Sequence, residues 1–220
     1  MTALSLRCQA LLFDLDGVLV DSQMVVERTW RRWAERHQLD AEAILRAAHG
    51  RRTSDTLREV MPHLAPHTLD SEVAWLDATE LGDVDGLRVV PGADRLLAGL
   101  PPTRWAIVTS CGRALARRRL TAVGLPLPDV LVVSEDVKQG KPAPDGYRLA
   151  ATRLGYDPAD CIVFEDAPAG VAAGRAAGAR VIGLVTTYLA SDLGDTETTI
   201  TDFTSLHVRA DHDGFSLRKV

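Results

Sequence analysis

The fold of this chain is indicated first by Ala10-Leu-Leu-Phe-Asp14-Leu-Asp16-Gly17, an apolar run that ends in two carboxylates and a glycine. A short apolar run with a polar end is typical of a strand that is buried on both faces of a parallel sheet. Further apolar runs, separated by helical patterns, follow at 105–108, 130–133, 161–164 and 179–185. We therefore predict an α/β fold with a doubly wound parallel sheet.

The pattern changes to helices between residues 21 and 87. Strong helix formers predict four helices, at 22–37, 41–48, 53–61 and 71–81, with Pro62 and Pro66 as breaks between them. We expect residues 21–87 to form a small helical cap domain, inserted after the first strand of a core domain made of 1–20 and 88–220. The polar C-terminal segment predicts a single short strand at 206–208.

Composition restricts the possible functions. The 220 residues carry 25 basic and 30 acidic side chains, a net charge of −5, and 46% of them are hydrophobic. This balance excludes a disordered chain and disfavours a nucleic-acid partner. No apolar segment approaches the ~20 residues of a membrane span, and the three cysteines have no metal-site spacing. We expect a cytoplasmic protein, a monomer or weak homodimer, that binds neither membranes nor nucleic acid.

Reactive side chains follow the predicted strands. They are Asp14 and Asp16 after the first run, Thr109 and Ser110 after 105–108, Lys141 beyond 130–133, and Glu165 and Asp166 after 161–164. In open α/β sheets the ligand crevice lies at the carboxyl ends of the strands. We therefore expect these side chains to meet in one crevice.

The chemistry of this group indicates phosphoryl transfer. Carboxylates held together repel one another unless a cation neutralises them, and oxygen donors without His or Cys suit Mg²⁺. Lys141 and the hydroxyls of Thr109 and Ser110 could hold phosphoryl oxygens. Asp14 and Asp16 lie on the same side of a strand, so one can act as nucleophile and the other as general acid and base.

Four ordered motifs give this chain a specific resemblance. They are Asp14-Leu-Asp-Gly-Val-Leu-Val-Asp-Ser22, Val108-Thr-Ser110, Gly140-Lys-Pro-Ala-Pro-Asp145 and Val163-Phe-Glu-Asp-Ala-Pro-Ala-Gly170. They resemble the motifs of the haloacid dehalogenase (HAD) superfamily, and the helical segment resembles that family's cap. The chain is most similar to the sugar- and polyol-phosphate phosphatase branch, which is related to β-phosphoglucomutase and phosphoglycolate phosphatase.

The resemblance implies a role for each matching residue. Asp14 would be the nucleophile and a metal ligand, and Asp16 the general acid and base, with its carbonyl on the metal. Lys141 would bind phosphate and steady the nucleophile, and Thr109 would also bind phosphate. Asp166 and the adjacent Glu165 would complete the shell of a Mg²⁺ cofactor.

Residues of the predicted cap are candidates for substrate contact. Arg51 and Arg52 lie in His49-Gly-Arg-Arg52, at the position of the family's specificity loop, although a solvated basic turn would look the same. Glu27 lies one helical turn before Trp30 and could face the cleft. Arg117-Arg-Arg119 is interpreted as a solvated helix face.

We predict Mg²⁺-dependent hydrolysis of a small phosphomonoester, a sugar or polyol phosphate, through an aspartyl-phosphate. Asp16 disfavours a dehalogenase, which lacks the second carboxylate, and the absence of lysine from 21–87 disfavours a phosphonatase. Two alternatives stay open. One is a β-phosphoglucomutase-like mutase, whose cap histidine is matched here by Val26. The other is a non-catalytic regulator that binds a phosphorylated ligand.

Overall fold

The protein is described here by a computed structural model of residues 5–219. The strands are β1 (Ser5–Cys8), β2 (Ala10–Phe13), β3 (Val20–Asp21), β4 (Arg88–Val89), β5 (Trp105–Val108), β6 (Val130–Val132), β7 (Cys161–Glu165), β8 (Arg180–Leu184), β9 (Thr198–Ile200), β10 (Leu206–Asp211) and β11 (Gly214–Lys219). The helices are α1 (Gln23–His37), α2 (Ala41–Ala48), α3 (Thr53–Val60), α4 (Pro66–Gly82), α5 (Ala93–Ala98), α6 (Arg113–Val123), α7 (Asp145–Leu154) and α8 (Pro168–Ala177). Among these described helices, none combines the length and apolar character needed to cross a bilayer.

A sheet of six parallel strands forms the centre of the fold, in the order β6-β5-β2-β7-β8-β9. Phe13 of β2 lies opposite Ile107 of β5 and Phe164 of β7. The chain builds outward from β2 to β5 and β6 on one side, and then adds β7, β8 and β9 on the other. The carboxyl end of β2 is therefore the point where the direction of winding reverses, which is where open α/β sheets bind ligands.

Both faces of the sheet are buried, which explains the continuous apolar runs in its strands. In β2, Leu11 and Phe13 belong to one apolar cluster, while Ala10 and Leu12 belong to another on the opposite face. Helices α5 and α6 contribute to the first cluster, and α7 and α8 to the second. The predicted doubly wound α/β fold is confirmed.

Helices α1 to α4, here called the helical insert (residues 23–82), have an apolar cluster of their own. Trp33 is fully buried in it, and its indole N–H donates to Glu72 Oε2 of α4 at 2.7 Å. The chain leaves and re-enters the core through β3 and β4, which pair antiparallel with Val20 opposite Val89. The division into core and cap domains at residues 20 and 88 stays a prediction.

Two details differ from the sequence prediction. Pro66 begins α4 instead of separating helices, because the first residue of a helix needs no N–H donor. The short strand predicted at 206–208 is part of the hairpin β10–β11, and β11 also pairs antiparallel with β1. This second sheet was missed because its strands are polar and come from the two ends of the chain.

Candidate active site

The carboxyl ends of the central strands hold the predicted site residues at one edge of the sheet. Asp14 follows β2, and its N–H donates to the Phe164 carbonyl at 3.0 Å. Thr109 follows β5, and its N–H donates to the Val132 carbonyl at 3.0 Å. These hydrogen bonds continue the strand ladders by one residue. The buried side chains of Asp14 and Thr109 are thereby fixed where the winding of the sheet reverses.

Lys141 joins two of the predicted carboxylates. Its Nζ lies 2.5 Å from Asp14 Oδ1 and 2.6 Å from Glu165 Oε1, and it donates to the Val108 carbonyl at 3.1 Å. An ammonium has three donor hydrogens, so these contacts satisfy all of them. Burial by itself lowers the pKa of an ammonium, but the carboxylates of Asp14 and Glu165 outweigh it and raise the pKa of Lys141.

Glu165 is held by donors that the sequence analysis did not identify. The Tyr147 hydroxyl donates to Glu165 Oε1 at 2.6 Å, and the Asp166 N–H donates to Oε2 at 3.1 Å. Gly170 of α8 makes this approach possible, because a β-carbon there would lie 1.8 Å from Oε1. Tyr147 and Gly170 lie beside or within the predicted motifs, but only the packing of α7 and α8 against β7 reveals their contacts.

Asp14, Glu165 and Asp166 form a buried acidic cluster, with one oxygen of each within 4.8 Å of the others. Burial, opposed by Lys141 and reinforced by Glu165, raises the pKa of Asp14 to about 7. Burial and the other two carboxylates raise the pKa of Asp166 well above its ordinary value. A divalent cation would relieve this repulsion, and the all-carboxylate donor set fits Mg²⁺.

Gly17 allows the turn after β2 to approach the acidic cluster. Its φ is +75°, a left-handed conformation that disfavours side chains, and a β-carbon would lie 2.0 Å from Asp166 Oδ2. The Gly17 carbonyl also accepts a hydrogen bond of 2.6 Å from the Thr186 hydroxyl. The close approach of this turn to Asp166 therefore requires a glycine.

Asp16 lies outside the acidic cluster and has partners of its own. The Ser22 hydroxyl donates to Asp16 Oδ1 at 2.7 Å, and Arg119 Nη1 donates to Oδ2 at 2.6 Å. Arg119 also donates through Nη2 to Glu80 of the helical insert. The prediction that Arg119 belongs to a solvated helix face was wrong, since its side chain is only 3% exposed, although Arg117 and Arg118 are exposed as expected.

A cavity of about 230 Å³ opens above these residues, between the sheet edge and the helical insert. From the core it is lined by Asp14, Asp16, Thr109, Ser110, Arg119 and Asp166, and from the insert by Val26, Trp30, His49, Arg51 and Glu80. Burial lowers the pKa of His49, with Glu27 and Asp16 opposing the effect, which favours a neutral ring. The cavity thus combines charged groups at its floor with apolar and charged side chains from the insert.

The remaining predicted contacts lie in different places. Arg51 lines the cavity and pairs with Glu59. Arg52 is turned away, since it donates to the carbonyls of Val137 and Lys138 at 3.3 and 3.1 Å, and it is not among the residues that line this cavity. Glu27 is also not among them, and it accepts from Gln23 at 2.8 Å.

Ser110 connects the core to the loop of the helical insert. Its hydroxyl donates to the Gly50 carbonyl at 3.0 Å. Thr109, by contrast, uses its hydroxyl oxygen to accept the Cys111 N–H at 3.2 Å. Ser110 therefore holds the loop that carries Arg51 over the cavity, and both hydroxyls remain at the cavity wall.

Known proteins resemble this chain in sequence and in fold. The family model of haloacid dehalogenase-like hydrolases matches residues 8–178. The chain belongs to this family. The match includes all four motifs and the helical insert, so the family resemblance seen in the sequence is confirmed.

Relatives of this HAD-like hydrolase include named phosphatases. Hexitol phosphatase A of Escherichia coli strain K12 is 46% identical over 184 residues, covering 81% of this chain and 84% of that one. Glycerol-1-phosphate phosphohydrolase 2 of Saccharomyces cerevisiae is 37% identical over 196 residues, covering 84% of this chain and 78% of that one. A crystal structure of a hydrolase from Pseudomonas syringae superposes with a TM-score of 0.80 at 25% identity, covering 88% of this chain and 94% of that one.

Proposed function

We propose that this HAD-like hydrolase is a Mg²⁺-dependent phosphatase of small phosphomonoesters, and that its substrates are sugar or polyol phosphates. Its relatives with 37% and 46% identity are phosphatases of glycerol 1-phosphate and of hexitol phosphates, which supports a phosphoric monoester hydrolase. One observation of the structure carries the proposal: Lys141 joins Asp14 to Glu165 within a buried cluster of three carboxylates at the end of the central strand.

Asp14 is the proposed nucleophile. Its carboxylate attacks phosphorus, the ester P–O bond breaks, and an aspartyl-phosphate forms. Lys141 contacts Asp14 Oδ1 and lowers the pKa of Asp14 against the effect of burial, which favours the ionised carboxylate and leaves Oδ2 for the attack. The ammonium also lies where it can attract the phosphoryl oxygens, as can the hydroxyls of Thr109 and Ser110.

Asp16 is the proposed general acid and base. In the first step it gives its proton to the leaving alkoxide oxygen. In the second step its carboxylate takes a proton from water, which attacks phosphorus, breaks the P–O bond to Asp14 and releases inorganic phosphate. Two carboxylates can divide these roles because Asp14 is buried beside Lys141, whereas Asp16 is half-buried beside Ser22 and Arg119.

Asp14 and Asp166 are the proposed protein ligands of Mg²⁺, together with the Asp16 carbonyl and Glu165. Glu165 already accepts hydrogen bonds from Tyr147 and Lys141, so we assign it chiefly to holding Lys141. When bound, Mg²⁺ supplies positive charge that stabilises the transferring phosphoryl group.

The helical insert is proposed to select the substrate. Its cavity wall carries Arg51, His49 and Trp30, which suit a small hydroxylated molecule through hydrogen bonds and apolar contact. We assign substrate contact to Arg51. Contact by Arg52 and Glu27 stays a prediction, because neither residue is among those that line this cavity.

Hydrolysis is preferred over the mutase alternative because of Val26. This apolar side chain lines the cavity at the position where the mutase branch carries a histidine. A valine offers no proton-transfer group that could control the access of water to the aspartyl-phosphate, so water is expected to discharge it.

The test is phosphate release from a panel of sugar and polyol phosphates, with Mg²⁺ and with EDTA. We expect turnover only with Mg²⁺, and a loss of ~10⁴-fold or more in Asp14→Asn, with an unchanged circular dichroism spectrum. Isomerised sugar phosphate without free phosphate would support the mutase instead. Tight binding without turnover would support the regulator, and near-wild-type activity of Asp14→Asn would refute the assigned nucleophile.

A further inference from the structure

Arg119 is a buried arginine that connects the core to the helical insert. It lies on α6 of the core and lines the cavity, and its side chain is 3% exposed. One end of the guanidinium donates to Asp16 Oδ2 at 2.6 Å, and the other donates to Glu80 of α4. Because Glu80 belongs to the insert and Asp16 to the core, this ion-pair chain crosses the boundary between them.

Such an arrangement needs a reason, because burying charges costs solvation free energy even when they are paired. The same helix carries Arg117 and Arg118 in solvent, as the sequence pattern predicts. Arg119 alone of these three points inward, although an apolar side chain at this position would avoid the cost. Because a buried ion pair is weak evidence for stability, we look for the role of Arg119 in its contact with Asp16.

Both oxygens of Asp16 are engaged by fixed donors. Ser22 holds Oδ1 and Arg119 holds Oδ2, so rotation of the carboxylate breaks at least one hydrogen bond. The planar guanidinium presents its donors in a rigid fork, and Glu80 fixes the orientation of that fork by accepting from Nη2. The position of Asp16 therefore depends on where α4 of the helical insert lies.

We propose that Arg119 is a positioning residue for Asp16, and that Glu80 of the helical insert holds Arg119 in place. This inference rests on the proposed function, in which Asp16 protonates the leaving oxygen. A displacement of ~1 Å at a reacting group can lower the rate ~10²-fold. Loss of Arg119 should therefore impair proton transfer to the leaving group more than attack on phosphorus.

The leaving group of the ester separates an effect on proton transfer from an effect on attack at phosphorus. An alkyl phosphate such as glycerol phosphate needs a proton on its leaving oxygen, whereas 4-nitrophenyl phosphate releases a stable phenolate without one. Both esters share the second step, in which Asp16 acts as base, so the comparison uses kcat/KM, which covers only the steps up to release of the leaving group. We expect Arg119→Met to lower kcat/KM for glycerol phosphate ~10²-fold and to change kcat/KM for 4-nitrophenyl phosphate only a few-fold. The exposed Arg118→Met, on the same helix, is the matched control and should leave both values unchanged.

The measured quantity is kcat/KM for glycerol phosphate divided by kcat/KM for 4-nitrophenyl phosphate. Both values come from one protein sample, so partial misfolding of Arg119→Met cannot change their ratio. Glu80→Gln keeps the shape of the partner and removes its charge, and it should lower the same ratio by a smaller factor. The double variant should be no worse than Arg119→Met, because both changes act through one chain of contacts. Arg119→Lys, which restores one donor and the charge, should recover part of the ratio.

Equal losses of kcat/KM on both esters in Arg119→Met would overturn the inference, as would an unchanged or increased kcat/KM for glycerol phosphate. These outcomes leave the proposed function intact, provided that the wild type releases phosphate and Asp14→Asn does not. Absence of phosphate release from every ester by the wild-type protein would overturn the proposed function and, with it, the role assigned to Arg119.

Discussion

Replacing Lys141 by methionine tests the electrostatic arrangement of the site most directly. Methionine keeps an unbranched apolar stem but has no ammonium, so Asp14 and Glu165 lose contacts of 2.5 and 2.6 Å. The Val108 carbonyl loses its 3.1 Å donor as well. Two buried carboxylates are then left without their cation.

The expected cost follows from this loss. Removing one partner of a buried ion pair destabilises a protein by ~3–5 kcal/mol. For a chain of this length, that lowers the midpoint of thermal unfolding by about 6–20 °C. Activity should fall as well, because loss of the ammonium raises the pKa of Asp14 and disfavours the ionised nucleophile.

The cost should depend on pH. In the wild type, burial raises the folded-state pKa of Asp14 to about 7, above its unfolded value. Ionisation of Asp14 therefore makes folding less favourable as the pH rises from the unfolded pKa through the folded-state pKa. Removal of Lys141 raises the folded-state pKa of Asp14 further. The stability difference between wild type and Lys141→Met should therefore be larger near ~pH 8 than near ~pH 5.

The assay is urea unfolding of both proteins in EDTA at these two pH values. Lys138→Met is the matched control, because Lys138 is exposed in the same loop and its replacement should change stability by less than ~0.5 kcal/mol. Equal stability of wild type and Lys141→Met at the higher pH would refute the argument. A difference that grew toward low pH would contradict the assigned ionisation.

Three further predictions concern Gly17, the proposed Mg²⁺ ligand Asp166, and Glu72 of the helical insert. Gly17→Ala should destabilise the protein by ~1–2 kcal/mol through its positive φ. It should also weaken Mg²⁺ binding, measured by calorimetry, because the new β-carbon would lie 2.0 Å from Asp166 Oδ2. The control is Gly155→Ala, which has a φ of +82° with open space around it and should show the backbone strain alone. Mg²⁺ at ~100 times its Kd should stabilise the wild type by ~2.7 kcal/mol in urea unfolding, and Asp166→Asn should remove most of this gain. Burial raises the pKa of Glu72, but hydrogen bonds from Trp33 and His37 outweigh it and lower that pKa. Glu72→Gln should therefore cost ~1.5–3 kcal/mol of stability at neutral pH. This cost should become progressively smaller as the pH falls below the unfolded pKa of Glu72.

Much of the fold could be predicted because the relevant signals are local. The apolar runs of β2, β5 and β7 are continuous since both faces of their sheet are buried, and α2 has the bounds that the sequence predicts. The beginning of α4 at Pro66 was missed because proline signals both a break and a first helical turn. The sheet of β1, β10 and β11 was missed because its pairing joins residues from opposite ends of the chain.

Local interactions along the chain set which strands carry chemistry and which side chains follow them, because a strand and the residue after its end depend on neighbouring residues. The tertiary structure, by contrast, sets how Asp14, Lys141 and Glu165 contact one another, since these segments lie far apart along the chain. It also decided that Arg119 is buried, although Arg118 beside it is exposed. Identical side chains on one helix differ only in the surface each meets, and that surface is supplied by the folding of the helical insert against the core.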